Sequence, residues 1–153
     1  MAAHEGQCHC GSVSIRLETA LTAADRPLRA CACSFCRRHG VKAIADPEGS
    51  LLIEGHARSI ERYRFGVRTA EFLLCRRCGV YVAAVIGRDD GKRATLNTVG
   101  LLLDETFGGT ASEVVYDGET PEDRITRRLT NWTPVHFTSK TLEDRAFGRA
   151  LAA

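Results

Sequence analysis

Seven cysteines dominate the chemistry this chain can offer. They fall in three tight groups: Cys8-His9-Cys10, then Cys31-Ala32-Cys33-Ser34-Phe35-Cys36, then Cys75-Arg76-Arg77-Cys78. An odd number rules out a complete disulfide framework within one chain. The stretch from Met1 to Cys10 has no apolar run of the kind that opens a secretory signal, so a reducing, cytoplasmic setting is the expectation. Free cysteines are often buried small hydrophobes. Groups this tight, each flanked by Gly, Ser or Arg, fit metal ligation by thiolates better, and zinc is the commonest metal for such sets.

Seven ligands divide as four plus three, and zinc uses four ligands in closed structural sites and three plus an open position in catalytic ones. Cys33 and Cys36, three apart on a tight turn, can share a metal with Cys31 on the preceding strand. Cys8 and Cys10 then pair with Cys75 and Cys78 in a site that ties distant parts of the chain together. Two zincs per chain follow. Other divisions stay open at this level: one zinc taking Cys31, Cys33 and two further cysteines, or His9 or His39 completing a site. His9 lies between two ligands in extended chain and should face away from them, while His4, His56 and His136 have no ligand-spaced partner and read as surface residues.

The rest of the chain must position these thiols. At 153 residues, with 44% hydrophobic and 26% charged, it suits one domain, 1–153, with a real core. The formal charge of +2 and the lack of an aromatic-and-basic face argue against nucleic acid, and no apolar run approaches the ~20 residues of a membrane helix.

The pattern is mostly β. Gly6 to Glu18 reads as a strand, with Val13, Ile15 and Leu17 alternating against polar residues and the first cysteine pair at its start. Leu28 to Cys33 is a second strand, and Ser34 to Gly40 a single helical turn with Ser34 as its cap. Further strands are expected at 42–45, 50–54, 60–65, 69–75 and 79–86, then through Leu96 and Val99 after a turn at 88–91, and at 113–116. Thr120-Pro121-Glu122-Asp123 starts a helix with Ile125 and Leu129 on its apolar face, and 142–150 suits a second one.

Together, Gly6-x-Cys8-His9-Cys10-Gly11-x-Val13, Cys31-x-Cys33-Ser34-x-Cys36-Arg37-Arg38, Cys75-x-x-Cys78-Gly79 and Gly100-Leu101-Leu102-Leu103-Asp104 resemble the glutathione-dependent formaldehyde-activating enzyme family over residues 6–105. The resemblance implies an Mss4-like, β-rich fold organised around a structural zinc. It implies that this zinc sits on Cys8, Cys10, Cys75 and Cys78, and a catalytic zinc on Cys31, Cys33 and Cys36. The family commonly has His where this chain has Ala32, which bears on the substrate rather than the metal. Beyond Gly109 the one motif is Asn131-Trp132, and no function is carried over to that stretch.

The reaction implied is reversible addition of glutathione, or a similar thiol, to formaldehyde or another small aldehyde, a carbon–sulfur lyase activity. Three thiolates leave a zinc site formally at −1, a poor electrophile, so the metal is expected to position a thiol rather than polarise a carbonyl. The carboxylates of glutathione need cations, and Arg37, Arg38 and Lys42 follow the open cluster directly. Arg76 and Arg77 are expected to balance the closed site, and Tyr81 and Trp132 to be core or rim residues. The rival reading is a non-catalytic zinc module that binds a protein. A thiol redox role fits poorly, because Gly79 leads into a strand and not a long helix.

Overall fold

In the computed structural model, which describes residues 1–88 and 91–149, alternating residues sort the chain into strands. Strands β1 (Ala2–Gln7) and β2 (Val13–Thr19) flank the first cysteine pair, and β3 (Arg29–Cys31) leads into helix α1 (Ser34–His39). Then come β4 (Ala43–Ile44), β5 (Ser50–Gly55), β6 (Ile60–Tyr63) and β7 (Glu71–Cys75). Past the last cysteines lie β8 (Tyr81–Arg88), β9 (Gly91–Asn97) and β10 (Ser112–Val114). The segment after these holds α2 (Pro121–Asn131), β11 (Thr133–Phe137) and α3 (Lys140–Phe147).

The protein is mostly β, as expected. One sheet path runs β1-β2-β5-β11-β9-β4-β3-β10, and β6, β7 and β8 branch from it at β9. Val13, Ile15 and Leu17 of β2 are each 1% exposed and lie opposite Gly55, Ile53 and Leu51 of β5. β11 is the seam. Val135 pairs in parallel with Leu51 of β5, while Thr133 pairs antiparallel with Ala94 of β9.

Strands β7 and β8 serve two cores, because successive side chains leave a strand on opposite faces. Leu73 and Cys75 point to the larger core with Ile15, Leu17 and Leu96. Phe72 points to a smaller core with Tyr81, Ala84, Ile86, Trp132 and Cys36.

Several expectations change in detail. The strand expected from Gly6 to Glu18 is two strands, with Cys8 to Ser12 as the turn between them. β1 escaped notice because its residues are mostly exposed, with little apolar alternation. Cys33, not Ser34, caps α1: its sulfur accepts the Cys36 backbone N–H at 3.4 Å. β11 was not foreseen, being five residues with Pro134 inside. Thr120 does cap α2 with Pro121 in its first turn, and Ser139 starts the last helix at Lys140 rather than Leu142. Asp89 and Asp90 of the expected 88–91 turn, and Ala150 of the expected last helix, lie outside the described residues.

The Gly100 to Asp104 segment locks the sheet to the cysteine turns. A Cβ on Gly100 would stand 2.8 Å from both the Tyr81 carbonyl oxygen and the Val80 side chain. Leu101 and Leu103 are buried, and Asp104 lies 3.8 Å from Lys42 Nζ. Gly100→Ala is therefore expected to destabilise the protein by about 1–3 kcal/mol, an overpacking effect read from urea unfolding midpoints at unchanged slope.

Candidate metal centre and cavity

Two turns bring four cysteines together. Cys8 N–H donates to the Val13 carbonyl at 2.9 Å, and Cys75 N–H donates to the Val80 carbonyl at 2.9 Å, so each turn closes over the same five-residue span. Gly11 and Gly79 follow the ligands at φ 81° and 79°, a backbone that a side chain would strain. Backbone donors aim at the sulfurs: Val13 N–H at Cys8 Sγ and Cys78 N–H at Cys75 Sγ, both 3.4 Å.

The ligand atoms of Cys8, Cys10, Cys75 and Cys78 all lie within 4.8 Å of one another. Cys10 Sγ is 3.8 Å from Cys8 Sγ and 3.6 Å from Cys75 Sγ across 65 residues of sequence. Tetrahedral zinc with Zn–S of about 2.3 Å requires sulfurs roughly 3.8 Å apart, so the donor set fits such an ion. The Ser12 hydroxyl, 3.1 Å from Cys10 Sγ, draws that thiol down to about 6. Burial pushes Cys75 up to about 12.

Cys31, Cys33 and Cys36 form the second group, again within 4.8 Å. The end of β3 supplies the first, the cap of α1 the second and its first turn the third. The neighbouring Cys31 and Cys36 thiols hold Cys33 far below the usual thiol range, while Cys33 pushes Cys31 up and Cys31, with Cys33, pushes Cys36 up. These thiols also fit a metal, and with three ligands they leave a coordination position open. No histidine joins either group among the described residues. His9, His56 and His136 are exposed, His4 lies half-buried with its ring 5.0 Å from that of Phe107, and the His39 ring lies 4.5 Å from that of Phe35.

The two groups differ in surroundings. Cys31, Cys33 and Cys36 line a cavity that opens to solvent, and none of the other four does. Its floor is apolar, with Phe72, Ala84 and Trp132, and Phe35 beside it stacks against Phe65 at 5.2 Å. Tyr81, foreseen as core or rim, is both: it is 3% exposed and lines the cavity. Burial raises its phenol well above the ordinary range, so it stays protonated.

The expected substrate cations lie elsewhere. Arg37 and Arg38 are exposed on α1, with Arg38 donating to the Ser34 carbonyl, and neither lines the cavity. Lys42 also lies outside the lining, donating to the Gly109 carbonyl and facing Asp104. Arg76 is paired with Glu61 at 3.2 Å beside the four-cysteine turns. The cavity's arginines are instead Arg29, Arg124, Arg127 and Arg128. Arg128 was foreseeable, for it stands three residues after Ile125 and four before Trp132, on the apolar face of α2. Among the described residues no helix is long and apolar enough to cross a membrane.

A family model described as glutathione-dependent formaldehyde-activating enzyme matches residues 3–115. The match holds all seven cysteines and leaves α2, β11 and α3 outside it. A crystal structure of a Rhodobacter sphaeroides protein is similar at 29% identity, over 87% of this chain and 100% of that one, with a TM-score of 0.49. No curated protein matches.

The two cysteine groups should respond differently to mutation. Cys78→Ser is expected to unfold the protein, since a structural zinc contributes ~10–16 kcal/mol of apparent binding energy. Cys36→Ser is expected to keep the native circular dichroism and lose one zinc of two by elemental analysis. A folded, fully metallated Cys78→Ser protein, or an unfolded Cys36→Ser one, would contradict this division.

Proposed function

The chain belongs to the glutathione-dependent formaldehyde-activating enzyme family, and from that premise we propose that it catalyses reversible addition of glutathione to formaldehyde at Cys31, Cys33 and Cys36. The observation that carries this reading is that these three thiols, and not the other four, open on a cavity. A closed four-thiolate zinc on Cys8, Cys10, Cys75 and Cys78 would then be structural. The cavity also weighs against a non-catalytic zinc module, which has no use for one.

Zinc held by the three cysteines would supply a fixed cation at which a substrate thiol loses its proton near neutral pH. The chain does the rest. The cap and first turn of α1 hold Cys33 and Cys36 in place, so the sulfur of the substrate has one position. Phe72, Ala84 and Trp132 limit water around the reacting atoms.

In the addition step a new S–C bond forms as the carbonyl π pair moves onto oxygen. That oxygen needs a proton, and Tyr81 lines the cavity with its phenol held protonated. Tyr81 gives the proton to the new hydroxyl and regains one from water, which carries the proton that the thiol lost. Reversal releases aldehyde and thiol. In this reading Arg37, Arg38 and Lys42 offset the charge of the thiolate group from outside.

The test follows equilibration of glutathione with formaldehyde by NMR, measured over the uncatalysed background. Wild-type protein is expected to accelerate exchange, and Cys36→Ser to fall to background. Tyr81→Phe, which keeps the ring in its core, is expected to lose about 10²-fold while retaining both zincs, the low end of general acid–base contributions. Full activity in Tyr81→Phe removes the phenol from the mechanism, and absence of acceleration by wild type removes the reaction.

A further inference from the structure

Arg128 is a buried charge with no ion-pair partner among the described residues. The residue is 8% exposed and lines the cavity. Its Nη1 donates to Thr69 Oγ1 at 2.7 Å, and its guanidinium lies over the Trp132 ring, 4.9 Å from the centroid. Its Nε is buried with no hydrogen-bond partner. Among the described residues, no carboxylate comes within ion-pair distance of it.

Its neighbours deepen the imbalance. Arg127 is engaged by both oxygens of Glu119, at 2.7 and 3.0 Å, and Arg124 reaches the same carboxylate at 3.5 Å. One carboxylate thus serves two guanidiniums, and Arg29 on β3 adds a further cation to the lining. Asp117 is the one acid in the lining, and it is exposed. Burial lowers the Arg128 pKa to about 10, with Arg127 and Arg124 adding to the effect. A guanidinium retained in such a place costs folding free energy unless an anion meets it.

We propose that Arg128 is the anchor for a carboxylate of the substrate thiol, so that this cavity selects acidic thiols over neutral ones. The identity of the ligand rests on the reaction proposed above; the anion requirement rests on the arginine alone. The forked guanidinium is suited to a carboxylate, since it offers paired donors in one plane, and it lies over the Trp132 ring. α2 lies beyond the residues that match the family model, so this anchor comes from a part of the chain to which that match assigns nothing.

Calorimetric titration of the zinc-loaded protein with S-methylglutathione decides the matter, because this ligand keeps both carboxylates and cannot form a thiolate. Wild type is expected to bind it at least tenfold more tightly than its dimethyl ester. Arg128→Gln is expected to weaken binding of the acid at least tenfold and to erase the preference. Equal affinity of wild type and Arg128→Gln for the acid, or no binding to wild type, overturns the proposal. Arg128→Lys keeps the charge in the core should the glutamine variant fail to fold. It is expected to lose at least threefold, because paired donors become one, and wild-type affinity in the lysine variant overturns the anchor. The reaction itself is read separately, from the visible bands of cobalt-substituted protein on adding glutathione. Unchanged bands would remove thiol ligation while the calorimetry still decides Arg128.

Discussion

Sulfurs 3.6 to 3.8 Å apart cannot all carry charge unless a cation sits between them, and the fold is arranged around that restriction. At an effective dielectric of about 20, two thiolates at such a distance repel by roughly 4–5 kcal/mol. The turn after β1 and the turn after β7 meet across 65 residues, with Cys8 and Cys75 buried in the larger core. Each is shaped to present its sulfurs: a five-residue closure, a left-handed glycine and backbone N–H groups aimed at the thiols. A dication held there would replace that repulsion with attraction, and β7 runs from those turns to the cavity, which Phe72 lines.

The grouping within each cluster was legible because it is local: spacings of two and three residues let neighbouring thiols share an ion. The alternation of Val13, Ile15 and Leu17 and the Thr120-Pro121 start of α2 were legible for the same reason. The joining of Cys8 and Cys10 to Cys75 and Cys78 is non-local, and spacing alone left other divisions open. What escaped was non-local. β11 has no periodicity of its own and exists because Val135 meets Leu51 while Thr133 meets Ala94. The cations of the cavity escaped through nearness in sequence: Arg37, Arg38 and Lys42 adjoin the thiols along the chain, whereas α2 adjoins them in space. Arginine on an apolar helical face was read past because charge ordinarily marks the solvated side.

The division between family and chain follows the structure. Residues 3–115 hold both thiol groups, with Gly100 as a close-packed hinge between sheet and turns. The segment beyond them adds α2, whose residues wall the cavity, and α3, which packs on β6 and β8. The cavity is thus lined from both stretches, with the thiols inside the matched residues and Arg124, Arg127, Arg128 and Trp132 beyond them. A thiol group can stay fixed while the helix opposite it changes.

The seam strand has a consequence in time. β11 pairs with β5, some eighty positions earlier, and bridges it to β9. During synthesis the first ten strands emerge before it, leaving the edges of β5 and β9 with open backbone groups. Nascent chain held at that stage presents two sticky borders to its neighbours, a state that invites association between chains. The segment after Trp132 must therefore emerge before the two sheet halves can close through β11.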